Sequence, residues 1–196
     1  MLYHNAQTII YNYKVLHSMK ILSTFLLLLL PFSLFAEDGE WFIGLDAGAT
    51  GAKLSNADLN SSYAYSPEYG IKFGIREDHS RIYIGYTLAN DIGTEISKTQ
   101  SPYIALEGIS NEFKVVKNST AKFFFGVRLG ASFADINSSK TAAFLGGIQT
   151  GLIFMLPADF EMELAYRHYW AIRNDDYTDF TAGAIYTGIN YKFGAF

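Results

Sequence analysis

Glu161 and Glu163 stand two residues apart, and Arg167 follows four residues after Glu163. On an extended strand, side chains two apart share a face, so all three point the same way. Two carboxylates on one face can divide the roles of acid and base between them. The same spacing also suits carboxylates held by cations from neighbouring strands. Lys72, Arg76, Glu107, Arg128 and Lys192 occupy matching positions in other alternating segments, each opposite apolar residues. Charges enclosed in a narrow space must be paired, because an unpaired buried charge is costly. Lys72, Arg76, Glu107, Arg128, Glu161, Glu163, Arg167 and Lys192 are therefore read as a structural network of charges. No catalytic residue is assigned.

His168 lies in Tyr166-Arg167-His168-Tyr169-Trp170, with no serine beside it to act as a nucleophile. It is expected beside Trp170 at a membrane interface. His4 and His17 precede the expected mature chain, and His79 falls in a turn. The chain has no cysteine, so neither a thiolate metal site nor a disulfide framework can form. No metal and no cofactor are expected. Gly44, Gly48, Gly70 and Gly74 are spread along two strands and do not form a phosphate loop. The stretches Asp58-Leu59-Asn60-Ser61-Ser62 and Asp135-Ile136-Asn137-Ser138-Ser139 match an acidic-extended N-glycosylation sequon. Asn60 and Asn137 would be acceptors only in a host with that pathway. A net charge of -4 without a basic run gives no support for nucleic-acid binding.

The segments that position these groups alternate with a period of two. Eight are expected: Trp41 to Leu54, Tyr63 to Arg76, Ile82 to Leu88, Tyr103 to Val116, Phe123 to Phe133, Phe144 to Phe154, Phe160 to Trp170, and Ala184 to Phe193. The last reads A-I-Y-T-G-I-N-Y-K-F. Its Ile185, Thr187, Ile189, Tyr191 and Phe193 fall on one face, and small or polar residues fall on the other. In the fourth segment Ser110-Asn111-Glu112 breaks the alternation, and a bulge there would restore the register. The polar breaks Ser55–Ser62, Asn90–Ser101, Ala134–Lys140 and Arg173–Thr178 are expected to be long loops. Between them fall tight turns near Glu77-Asp78-His79-Ser80, Asn118-Ser119-Thr120 and Pro157-Ala158-Asp159. Aromatics cluster near the segment ends. Trp41, Phe113, Phe123, Phe154, Phe160, Tyr191 and Phe193 form one set, and Tyr69, Tyr86, Tyr103, Phe133, Phe144 and Trp170 the other. Two such belts mark the headgroup levels of a membrane.

Charge on one face and apolar groups on the other turn a soluble barrel inside out. In lipid every backbone polar group must be paired internally, and strands achieve this only in a closed barrel. The reading is all-β: an eight-stranded antiparallel up-and-down transmembrane β-barrel. The apolar run Ile21 to Phe32 follows Lys20 and ends before Ser33-Leu34-Phe35-Ala36. It has the form of a signal peptide over 19–36. Residues 1–18 are then an upstream extension from a misplaced start, and residues 37–196 are the barrel. Removing Lys14 and Lys20 makes the mature chain more acidic than the whole.

Gly188-Ile189-Asn190-Tyr191-Lys192-Phe193 resembles the closing strand of small bacterial outer-membrane barrels. Together with the eight segments, over about residues 39–193, it is similar to the OmpA membrane domain, OmpX and opacity-protein family. The resemblance implies the cell outer membrane of a Gram-negative bacterium. Ile189, Tyr191 and Phe193 would be the signal read by the barrel-assembly machinery, with Gly194, Ala195 and Phe196 following it. It implies outer-membrane lipid and lipopolysaccharide as surroundings, a monomer, and a host or surface ligand at the loops. The expected role is structural or surface interaction, with a narrow porin-like channel as the alternative. A lipid A-modifying enzyme is third. Deacylases of this shape carry His-x-Ser-Asn, whereas His168 here is followed by Tyr169-Trp170-Ala171. The chain is expected not to be an enzyme.

Overall fold

The computed structural model describes residues 39–54, 64–92, 96–116, 119–136, 139–172 and 180–195. Among them there is no helix. The strands are β1 (Glu40–Leu54), β2 (Ala64–Arg76), β3 (Ser80–Ile92), β4 (Ile96–Ile109), β5 (Phe113–Val116), β6 (Ser119–Ile136), β7 (Ser139–Met155), β8 (Phe160–Ile172) and β9 (Phe180–Ala195). Each is antiparallel to its neighbours, in the order β4-β3-β2-β1-β9-β8-β7-β6-β5. A further pairing of β4 with β6 closes the ring.

The wall has eight strands, because β4 and β5 are two parts of one. Ile109 pairs with Phe124, and Phe113 pairs with Ala121. Four steps on one side thus oppose three on the other, which is the extra residue expected at Ser110-Asn111-Glu112. Ser110 holds the break together. Its backbone N–H donates to the Phe123 carbonyl at 2.8 Å, and its hydroxyl accepts from the Phe123 N–H at 2.9 Å.

Two of the expected loops are strand instead. β3 continues to Ile92 and β4 begins at Ile96, so most of Asn90–Ser101 is paired. Similarly β6 reaches Ile136 and β7 begins at Ser139, leaving 137–138 between them. A paired strand shows alternation only where one face meets an apolar phase. These ends carry polar residues on both faces, such as Thr99 inside and Gln100 outside, so the pattern fades while the ladder continues. Residues 55–63 and 173–179, and with them Asn60, lie outside the described residues, as do Asn137, 1–38 and Phe196.

The wall is apolar outside and charged inside. Leu45 and Ile185 are each 64% exposed, and Phe73, Ile84, Phe125, Leu129, Phe144 and Leu164 are also exposed. Soluble monomers rarely expose a continuous apolar surface of this extent. Ile189, Tyr191 and Phe193 share this outer face on β9. β9 runs on past Phe193. Gly194 takes a φ of 63°, and the pairing with β1 shifts between Glu40 and Trp41. Tyr103 departs from its expected place in the outer aromatic belt. It has the parity of Glu107 on β4, so it points into the lumen and is buried.

The turn at Pro157-Ala158-Asp159 closes with Leu156 N–H donating to the Phe160 carbonyl at 2.9 Å. Ala158 and Asp159 there have φ of 59° and 62°. Two left-handed residues in a row suit the twist of a hairpin.

Candidate functional site

The candidate site is the lumen. Every strand but β5 sends inward side chains to it, and the closure of β1 on β9 and β4 on β6 brings together residues far apart in sequence. Among the described residues five acids, Asp46, Glu68, Glu107, Glu161 and Glu163, and five bases, Lys72, Arg76, Arg81, Arg128 and Arg167, are each at most 5% exposed.

At the end of the barrel where the strands meet in short turns, Arg76 pairs with Glu161. Lys192 reaches Glu40 at 2.8 Å on the partly exposed rim. The middle layer is the densest. Lys72 Nζ lies 2.7 Å from Glu163 Oε2 and 3.0 Å from Asp46 Oδ1. Arg81 bridges Glu107 and Glu163. The Tyr83 hydroxyl donates to Glu107 Oε1 at 2.6 Å, and the Gln149 amide also donates to Glu107. Asn190 donates to Glu163. Towards the loops, Arg167 Nη2 lies 2.7 Å from Glu68 Oε1, while Asp46 is 3.9 Å from Nη1. The Tyr169 hydroxyl donates to Glu68 at 3.4 Å.

The cations also lie on rings. Arg81 sits 4.9 Å from the Phe124 centroid, Arg167 4.0 Å from Tyr186, and Arg128 3.6 Å from Tyr103. For Arg81 and Arg167 such contacts add to their ion pairs, since both groups are desolvated. Glycine makes the crossings fit at one notable place. A Cβ on Gly44 would come within 2.6 Å of Lys72 Cε and closer still to the Asn190 side chain.

Chemically, the arrangement is sealed. Glu161 and Glu163 are 1% and 0% exposed, and each is committed to cations. Two carboxylates so placed cannot meet a substrate that arrives from water. An eight-stranded barrel is just wide enough for side chains to fill it, and here charged side chains and rings do so.

Of the residues singled out from sequence, Lys72, Arg76, Glu107, Arg128, Glu161, Glu163 and Arg167 lie in this interior. Lys192 lies at its rim. Three members are outside that charge network as read from sequence: Asp46, which the alternation already puts on the inward face of the first strand, and Glu68 and Arg81. The signal was available, since each has the parity of an inward residue on its own strand. Asp46 follows Gly44, Glu68 precedes Gly70, and Arg81 precedes Tyr83 by two. Arg81 was obscured by its place next to a turn.

His168 stands on the outer face, half-buried. Its Nδ1 is 3.2 Å from the Tyr166 hydroxyl, and its ring meets Trp170 edge-on at 4.9 Å. His79 bonds Asn111 at 2.8 Å in the turn region. Among the described residues no cluster of three or more His, Asp or Glu could hold a metal ion.

No family model matches the chain, and no curated protein matches it in sequence. Solved structures do. Neisserial surface protein A is 17% identical, with a TM-score of 0.58, covering 80% of this chain and 100% of that one. Outer membrane protein H (OprH) from P. aeruginosa is 19% identical, with a TM-score of 0.52, covering 79% of this chain and 99% of that one. At such identities the likeness concerns fold, and it agrees with the strand count, the closure and the inverted polarity described above. The chain therefore has the fold of the small eight-stranded outer-membrane β-barrels.

Proposed function

We propose that this protein is a resident of the outer membrane whose role is structural or surface-interactive, exercised at its loop end. It is not an enzyme and not an open pore. The observation that carries this reading is the sealed lumen: Lys72, Arg81, Glu107 and Glu163 are each at most 1% exposed and joined to one another. A barrel so filled has only its outer wall and its ends with which to act. The outer wall is apolar and suits lipid. The loop end, with residues 55–63 and 173–179 linking strands there, is left for recognition, whether of lipopolysaccharide or of a host or surface ligand. One neighbour in fold is named a surface protein, which agrees with this reading. The barrel-assembly machinery would insert the chain, reading Ile189, Tyr191 and Phe193.

Two measurements test it. The folded chain in planar bilayers should give no discrete conductance steps, and steady steps would replace this reading with the channel. Variants with 56–62 and 174–178 replaced by short Gly-Ser links should still run as a fast band on unboiled SDS gels. Cells displaying them should adhere less to cultured epithelium than cells displaying the parent. Equal adherence would remove the interaction role and leave the structural one.

A further inference from the structure

We propose that Arg128 is the anchor of an anion site enclosed in the loop half of the lumen, of a size for a single small monovalent ion of the chloride class. The inference rests on the sealed-barrel reading and starts from an asymmetry inside it. Nine of the ten buried charges have an opposite charge within 3.9 Å. Arg128 has none among the described residues, although it is 1% exposed.

Its surroundings offer rings and hydroxyls instead of a carboxylate. The guanidinium carbon is 3.6 Å from the centroid of Tyr103 and 5.8 Å from that of Tyr169. Rings hold the flat faces of a guanidinium, but its N–H groups lie in the plane and need acceptors. Nε and Nη1 of Arg128 are buried and have no hydrogen-bond partner. On the same wall towards the loops, Ser132 is four residues further along β6, and its hydroxyl meets that of Ser101 on β4 at 3.3 Å. Thr99, two residues beyond Ser101, has a buried hydroxyl that is also without a partner. This wall thus offers Arg128 hydroxyls and rings, and no carboxylate.

A buried ionised donor without an acceptor costs more than its hydrogen bonds would contribute if made. The ten formal charges cancel overall, yet the carboxylates are committed elsewhere. Asp46 and Glu163 share Lys72, Glu107 and Glu163 share Arg81, and Glu68 holds Arg167. What Arg128 lacks is a local acceptor with negative charge. Gly147 on the facing strand lets the arginine stem lie against the wall, since a Cβ there would stand 3.1 Å from Arg128 Cγ. Arg128 is 1% exposed, which suits a single small ion better than an organic anion.

The test uses the full chain folded in detergent. Crystals soaked in bromide should give an anomalous peak at hydrogen-bonding distance from Arg128. In solution, thermal midpoints are compared at one ionic strength in sodium chloride and in sodium gluconate, whose anion is too large to enter. With chloride about tenfold above its Kd, the native state gains about elevenfold, which raises the midpoint by about 3–5 °C. Arg128→Gln and Arg128→Met should each abolish the difference, and gel mobility without boiling identifies whichever variant has folded. A water in place of the anomalous peak, or equal midpoints in both salts for the parent, overturns the proposal. Conductance steps with no halide site would instead sink the sealed-lumen reading itself.

Discussion

Replacing Glu163 by glutamine removes one charge from the most connected point in the barrel. Glu163 Oε2 accepts from Lys72 at 2.7 Å, and Oε1 accepts from Arg81 and Asn190. The side chains of Glu163, Lys72 and Arg81 are all 0% exposed. Glutamine keeps the shape, but its amide NH2 would face a donor. Lys72 is then left with Asp46, and Arg81 with Glu107. Breaking a buried pair by removing one partner costs about 3–5 kcal/mol, because a charge is left uncompensated in a low dielectric. The assay is equilibrium urea unfolding of the barrel in lipid vesicles, followed by tryptophan emission and by gel mobility without boiling. A second variant sharpens the test. Glu163→Gln combined with Lys72→Met removes both charges of one pair, so the lumen is balanced again. It should recover part of the loss, with a coupling of about 0.5–3 kcal/mol. A single variant within about 1 kcal/mol of the parent would refute the reasoning. So would a double variant that is no better than the sum of its parts.

Other perturbations probe other parts of the wall. Leu45 is 64% exposed and lies between Ile71 and Ile189 on the paired strands, so Leu45→Arg should destabilise the barrel in vesicles by about 2–4 kcal/mol. If the same substitution is neutral there, the face does not meet lipid. Ala158 holds a left-handed conformation that its Cβ disfavours by about 1–2 kcal/mol. Ala158→Gly should relieve that strain against a smaller gain in unfolded-chain freedom, and a urea midpoint above the parent's would show it. A midpoint below the parent's would mean that the turn is not strained at Ala158.

Much of this architecture could be read from the chain. A period of two sorts side chains to opposite faces whatever the strand pairs with, so the polarity of each strand was legible locally. That is why Ile185, Ile189 and Tyr191 could be placed outside and Glu161, Glu163 and Arg167 inside. Parity puts Asp46 on the lumen face with Gly44, and extended to its limits it also finds Glu68 and Arg81 and turns Tyr103 inward. The strand ends were not legible. Beyond the lipid neither face meets an apolar phase, so the described parts of Asn90–Ser101 and Ala134–Lys140 lack alternation while being paired.

The pairing of charges belongs to the tertiary structure alone. Lys72 and Glu163 are 91 residues apart, and Arg81 and Glu163 are 82 apart. Whether they meet depends on the stagger of every strand between them and on closure of β1 against β9. A lysine on a strand carries information about which face it takes, but none about the height at which a carboxylate on a distant strand will stand. The same holds for Arg128. Its inward direction is set by its position between Val127 and Leu129, whereas its stacking on Tyr103 and its want of a carboxylate follow from how the ring closes. Sequence determined what faces lipid and what faces the lumen, because that is a property of one strand. The closed barrel decided which charges meet, because contact across the lumen is a property of all eight.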